Sequence, residues 1–116
     1  MDFNAAIQAH ANWKLRLHGY SRGTLKETID ERTAGSDNLC ALGQWIHGEG
    51  KTVMDKAGSE ELRLAHAAFH KAAACIAAII GRGEAPAAVA LLDSPNSDFN
   101  RYSREVTKIL MRLRDR

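Results

Sequence analysis

The sequence predicts an all-α fold, an antiparallel helical bundle of the four-helix type with one short extra helix. Aromatic residues make up only 6% of the chain, and alanine and leucine are frequent among the apolar residues, a composition that favours helix over sheet. Apolar residues recur every three or four positions in several long segments, which is the period of an amphipathic helix. Since 116 residues suit one domain, we predict a single domain over residues 1–116.

The first predicted helix begins at Phe3 and ends near two weakening glycines, Gly19 and Gly23. The segment TLKETID, from Thr24, is expected to add a short extension or a separate turn. The next segment, RTAGSDN, is predicted to break the helical pattern. The stripe of the first helix consists of Phe3, Ile7, His10, Trp13, Leu17 and Tyr20.

A second, shorter helix is predicted over LCALGQWI, residues 39–46, and this places Cys40 in a first helical turn. Asp37 or Asn38 suits its N-cap, because either side chain accepts hydrogen bonds from first-turn amides. The longest helix is predicted over about Glu60 to Ile80, with Ser59 as its N-cap. Its buried stripe is expected to contain Leu62, His66, Phe69, Ala73, Ile76 and Ile80, with His70 beside it.

A short helix over PAAVALLD and a last helix from about Ser97 complete the predicted bundle. The motif-bearing part spans about residues 7–80, and the C-terminal helix spans about residues 97–116. The buried face of that last helix is expected to contain Phe99, Tyr102, Val106, Ile109, Leu110 and Leu113.

The charge distribution gives little reason to expect a nucleic-acid partner. The formal net charge is only +2, and the basic residues outnumber the acidic ones only near the C-terminus, where a solvated basic face is the commoner explanation. The N-terminus lacks a basic segment followed by an apolar one, and we count no stretch that approaches the roughly 20 apolar residues of a membrane span. We therefore expect a cytoplasmic protein that contacts no membrane.

The segment HAAFH, within the longest predicted helix, suggests a metal site. His66 and His70 are four residues apart, so their imidazoles lie about 40° apart around the helix and can converge on one ion. Zinc requires about four donors, with nitrogen and sulfur preferred, so other helices must supply the rest. His10 is the best third donor because it lies within an apolar stripe, where an unpaired imidazole is costly. Cys40 is the natural fourth donor, since a first-turn position favours the thiolate.

Other readings of these residues compete with the metal site. A lone core histidine such as His10 is more often hydrogen-bonded to a carbonyl or a polar side chain, and only the pair on another helix makes a ligand the better interpretation. Cys75 lies on the opposite side of its helix from His66, about 180° away, and is read as a small core or interface residue. His18 and His47 are expected to be exposed.

Catalysis is a poor interpretation of the same segment. Zinc proteases place a glutamate after the first histidine of such a pair to serve as general base, and this chain has Ala67 there. Three histidines and a thiolate would also leave no open position for an activated water. We therefore predict that the protein is not an enzyme.

Four pieces of the sequence together resemble the chemoreceptor zinc-binding domain family of bacterial signalling proteins: HANW, LCALGQWI, HAAFH and the spacings between them. The resemblance implies a helical bundle that holds one zinc ion through His10, Cys40, His66 and His70. It also implies frequent homodimers and regulated partners of the chemoreceptor or diguanylate cyclase type, acting in cis or in trans. Trp45 and Phe69 are expected to wall the site.

The predicted function is that of a zinc-binding regulatory domain in chemotaxis or cyclic-di-GMP control. Zinc occupancy, or the oxidation of Cys40, would switch its conformation, because a thiolate is the one oxidisable donor in the set. The alternative is a structural, zinc-stabilised helical dimerisation module with no sensing role. A free-standing protein and an excised domain are both compatible with the sequence.

Overall fold

The computed structural model describes residues 2–24, 29, 31–36 and 41–116, and every regular element within these ranges is an α-helix. The predicted all-α helical bundle is confirmed. The helices are α1 (Phe3–Arg22), α2 (Glu31–Gly35), α3 (Ala41–His47), α4 (Gly50–Val53), α5 (Lys56–Gly81), α6 (Ala85–Asp93) and α7 (Asp98–Arg114).

The limits of α1 agree with the prediction, and local signals determine both ends, although the cap at its start was not predicted. The carboxylate of Asp2 accepts a hydrogen bond from the backbone N–H of Ala5 at 2.8 Å, which satisfies one of the amides that a helix start leaves unpaired. The helix ends at Gly23, whose φ of 73° lies in the left-handed region that glycine adopts without a steric penalty. Three residues of the predicted stripe are buried, namely His10, Trp13 and Leu17.

The prediction that the segment after α1 breaks the helical pattern is wrong over α2. Residues 31–35 form a short helix, and it packs closely against α5. Ala34 is completely buried there. Five residues are too few to reveal a helical period, and contact with α5 stabilises a helix that propensity alone does not predict.

The helix predicted over residues 39–46 is observed as α3, from Ala41 to His47. It buries Leu42, Trp45 and Ile46. Cys40 and both predicted N-cap residues, Asp37 and Asn38, lie outside the described residues.

The longest helix, α5, begins four residues earlier than predicted. Its N-cap is Asp55, whose side chain accepts a hydrogen bond from the backbone N–H of Gly58 at 2.8 Å, and Ser59 lies inside the helix. The two glycines and the proline that follow Ile80 end the helix close to the predicted position. The predicted stripe is confirmed, since all of its members are buried: Leu62, His66, Phe69, His70, Ala73, Ile76 and Ile80.

The last helix, α7, begins as predicted, with Ser97 as its N-cap. The serine hydroxyl accepts a hydrogen bond from the backbone N–H of Asn100 at 3.2 Å. Tyr102 was predicted to face the core, but it is 37% exposed, because it lies at the edge of the buried stripe beside Arg101 and Glu105 in a shallow, charged surface depression.

Helix α5 is the centre of the bundle, with its main partners in α7 and α2, and α1 packs against α7 and α6. The two long histidine-bearing helices, α1 and α5, therefore meet α7 in one core.

By length and hydropathy alone, Lys56–Gly81 could cross a membrane, contrary to the sequence-based count of apolar residues. Its buried stripe and its packing are those of a core helix, which passes the same test of length and composition.

Candidate metal centre

His66 and His70 meet inside the bundle as their spacing predicts. Each is at most 1% exposed, and their Nε2 atoms lie 3.0 Å apart. The ring planes are nearly perpendicular, at 83°, with centroids 4.5 Å apart. Two ring nitrogens thus converge on one point of the core.

A backbone carbonyl fixes the orientation of His70. Its Nδ1 lies 2.7 Å from the carbonyl oxygen of Ala34 in α2. A carbonyl can only accept, so Nδ1 carries the proton, and a neutral His70 ring has its lone pair on Nε2, which faces His66. Metal-ligating histidines usually have this arrangement, in which a second partner holds the other ring nitrogen.

His10 brings a third imidazole into the same core. It is 2% exposed, and its Nε2 lies 3.0 Å from the hydroxyl oxygen of Ser103 in α7. Its Nδ1 is buried and has no hydrogen-bond partner among the described residues. An orphaned buried nitrogen is costly unless something else binds it, and a metal ion is one such partner.

The electrostatics of His10 and His66 favour neutral imidazoles. Burial and, to a lesser extent, neighbouring His70 lower the pKa of His10 to about 4, although a backbone hydrogen bond with Ser103 raises it in part. Burial is also the main cause that lowers the pKa of His66 to about 3, followed by the charges of His70, His10 and His47. A neutral imidazole is the form that binds a metal ion, so these side chains need not lose a proton first.

Aromatic rings enclose the histidines. Phe69 contacts His10 and His70 with ring centroids 4.4 and 5.2 Å away, and it also packs on Phe99 at 4.9 Å. Trp13 contacts His70 edge-on at 5.1 Å. Phe69 therefore walls the site as expected.

Trp45 was expected to wall the site as well, but its ring packs edge-on against Phe3, 5.2 Å away. Trp13 was read in the sequence only as a neighbour of His10 in the stripe of α1. Its role as a wall follows from the way α1 lies on α5, which a linear pattern does not reveal.

The structure describes only three of the four predicted donors, namely His10, His66 and His70. Cys40 lies outside the described residues, and within the described ranges no group of three or more histidine, cysteine, aspartate or glutamate side chains is arranged to hold a metal ion. His66 and His70 form a pair, and His10 is linked to them through Phe69 and through its electrostatic influence on His66. The set of His10, Cys40, His66 and His70 stays a prediction.

The remaining thiol and imidazoles lie elsewhere. Cys75 is exposed on α5, which contradicts the core alternative of its prediction, and the interface alternative stays a prediction. His18 was expected to be exposed, but its side chain is only 15% exposed, and its Nε2 lies 3.1 Å from a carboxylate oxygen of Asp93 in α6. His47 is exposed, as predicted.

The family model described as the chemoreceptor zinc-binding domain matches residues 10–77, more than half of the chain. This chain belongs to the chemoreceptor zinc-binding domain family. No curated protein and no solved structure matches the chain. The matched region begins at His10 and includes the histidine pair of α5, and membership in a zinc-binding family supports zinc as the metal for these imidazoles.

Parts of this chemoreceptor zinc-binding domain that contact His10 or the neighbouring Phe69 lie outside the matched region. Ser103 and Phe99 are in α7, beyond residue 77. Sequence analysis did not identify Ser103, and no local pattern signals it, because its contact with His10 spans 93 positions of the chain. The carbonyl of Ala34 was missed for a similar reason, since backbone atoms carry no sequence signal.

The close approach of α2 to α5 gives a first prediction. A Cβ added at Gly35 would lie 3.2 Å from the Cβ of Ala74, so Gly35→Val should push α2 away and weaken the contact between Ala34 and His70. We expect a loss of about 1–3 kcal/mol in the free energy of unfolding, together with weaker zinc binding. Urea unfolding and a chelator competition assay measure the two effects.

Gly81→Ala is the matched control for Gly35→Val. A Cβ at Gly81 would have only the hydroxyl of Tyr20 near it, at 3.9 Å, so this helical glycine should accept alanine without loss of zinc affinity. Equal zinc affinity in Gly35→Val and the parent would show that the position of α2 does not matter to His70.

Proposed function

We propose that this chain is a zinc-responsive regulatory domain of bacterial signalling that binds one zinc ion through His10, Cys40, His66 and His70. The convergence of His66 and His70, with His70 held by the carbonyl of Ala34, is the observation that carries the proposal. Membership in a family of zinc-binding domains supports the choice of metal. Zinc would supply a tetrahedral centre that joins helices distant in sequence.

The chemistry of the donors favours a regulatory role over catalysis. Three imidazoles and a thiolate complete the coordination that zinc prefers in closed sites. Ala67 and Ala68, which follow His66, offer no general base, and the histidine pair is buried. We therefore propose a site that responds to zinc or to oxidants and carries out no reaction on a substrate.

The switch that we propose acts through α2 and the segment after it. Ala34 touches His70, and α2 ends at Gly35, five residues before Cys40. Loss of the Cys40 bond, by zinc release or by oxidation of the sulfur, would free this segment while the histidines stay on long helices. Two arrangements of α2 and α3 would then be the states that a partner distinguishes.

The partner in this proposal is a bacterial signalling module of the chemoreceptor or diguanylate cyclase type, in cis or in trans, in the cytoplasm. The domain would act as a homodimer. Family membership supports a signalling context of the chemoreceptor kind.

A second function, a structural zinc clamp in a dimerisation module, is favoured by one observation. The histidine pair is at most 1% exposed and lies among aromatic side chains, an environment that also suits a metal which only holds helices together. In that case zinc would stabilise the whole bundle and not one segment.

Hydrogen exchange with and without zinc distinguishes the two functions. For a regulatory domain, removal of zinc should raise exchange within residues 31–47, while α7 stays protected. For a structural clamp, exchange should rise throughout the bundle. Cys40→Ser should lose the zinc found in the parent and show the same local pattern, whereas Cys75→Ser, which removes an exposed thiol, should keep both zinc and protection. Unchanged exchange within residues 31–47 after zinc removal would contradict the switch.

A further inference from the structure

The C-terminal helix contributes a hydroxyl to the histidine cluster. Ser103, half-buried on α7, places its Oγ 3.0 Å from Nε2 of His10 on α1. This contact lies outside the region matched by the family model, which ends at residue 77. The half-buried Ser103 therefore has a specific partner in the core.

The two ring nitrogens of His10 have different surroundings. Nε2 has the serine hydroxyl, whereas Nδ1 is buried with no hydrogen-bond partner in the described part of the chain. A neutral imidazole carries one proton, and a proton on Nδ1 would be a buried donor with no acceptor, at a cost of about 1–3 kcal/mol. A serine hydroxyl can donate or accept, so Ser103 Oγ can bond Nε2 in either tautomer. Only the tautomer with its proton on Nε2 places no unpaired proton in the core and leaves a lone pair on Nδ1 for a metal ion.

We infer that Ser103 is a positioning residue for the zinc site: it holds His10 as the Nε2–H tautomer and so leaves Nδ1 as the nitrogen that binds the metal. The inference rests on the proposed function, since it takes His10 to be a zinc ligand. Phe69 contacts the His10 ring at 4.4 Å between centroids and restricts its rotation, so that Nε2 stays beside the serine hydroxyl. The role matches the second partner that Ala34 provides for His70.

Through this bond, α7 becomes part of the zinc site without supplying a ligand. Partners of this kind typically change metal affinity by about 10–100-fold when removed. Any movement of His10 on zinc release would reach α7 directly through Ser103.

The test compares Ser103→Ala and Ser103→Thr with the parent. We expect Ser103→Ala to bind zinc about 10-fold more weakly, or worse, in a chelator competition assay, and Ser103→Thr, which keeps a hydroxyl, to recover most of the affinity. Ser21→Ala is the matched control, because it removes a half-buried helical hydroxyl that bonds the carbonyl of His18, outside the cluster. Its zinc affinity should equal that of the parent.

A second readout needs no metal. Nitrogen-15 NMR of the zinc-free protein reports which nitrogen of His10 carries the proton. The parent and Ser103→Thr should show the Nε2–H tautomer, and Ser103→Ala should show a mixture. This measurement on the parent and on Ser103→Thr tests the predicted tautomer of His10 even if Ser103→Ala does not fold.

The failure of this inference can be told apart from the failure of the proposed function. A parent with the proton on Nδ1, or a folded Ser103→Ala with parental affinity beside a His10→Ala that loses zinc, would overturn the role of Ser103 and leave the zinc site intact. Parental zinc binding by His10→Ala would instead remove His10 from the site and overturn both.

Discussion

Replacing His70 with alanine should abolish stoichiometric zinc binding. His70 is completely buried, its Nε2 faces that of His66 at 3.0 Å, and its Nδ1 bonds the carbonyl of Ala34. The substitution removes a proposed donor and also the contact that holds α2 against the site. We expect a loss larger than the about 10–100-fold typical of residues that only support a ligand.

The measurement is zinc per chain after dialysis, with helicity followed by circular dichroism. The parent should retain one zinc per chain, and His66→Ala should behave like His70→Ala. His18→Ala is the matched control, since His18 lies beside Asp93 of α6 and outside the cluster, and it should keep the metal. One retained zinc in a folded His70→Ala protein would exclude His70 as a ligand.

The parts of this domain that the sequence predicts well are those with local signals. The stripes of α1 and α5 follow from a period of three to four residues, and the start of α7 was predicted at about Ser97, which is its observed N-cap. The convergence of His66 and His70 needed only their spacing on one helix. These features depend on residues within about two turns of each other.

The parts that escaped prediction depend on how helices pack. Helix α2 is too short to show a period and is stabilised by the burial of Ala34 against α5. Ser103 reaches His10 only because α7 lies on α1. The start of α5 was also predicted wrongly, since Ser59 was chosen as the N-cap and the observed cap is Asp55, whose side chain accepts a hydrogen bond from the backbone N–H of Gly58.

Lowering the pH should strongly destabilise the zinc-free protein. The pKa values of His10 and His66 are about 4 and about 3 in the folded chain, against about 6.5 for an unperturbed histidine. Between these folded pKa values and about pH 6.5, the unfolded chain therefore binds more protons than the folded chain. The contribution of these histidines to the free energy of unfolding is fully present above about pH 6.5 and is lost as the pH falls toward the folded values.

Each of the two histidines should give a slope of up to about 1.4 kcal/mol per pH unit, and small domains have only about 5–15 kcal/mol in total. Urea unfolding with a chelator present, at a series of pH values below about 6.5, measures the slope. His66→Gln should reduce the slope by up to about 1.4 kcal/mol per pH unit. If His66→Gln and the parent had the same slope, the burial of His66 would not be a cause of the pH dependence of the free energy of unfolding.

The same pKa values change what is expected for zinc affinity. From the sequence alone, three ordinary histidines and a thiol would all lose protons on binding, and affinity would fall steeply below about pH 6.5. Because His10 and His66 stay neutral in the folded chain to well below that pH, they should release no proton to zinc between about pH 5 and 6. At most about two protons per zinc should then be released, from Cys40 and His70, as read from the slope of log affinity against pH. Release of four protons in a chain that is still helical would show that His10 and His66 are protonated before zinc binds.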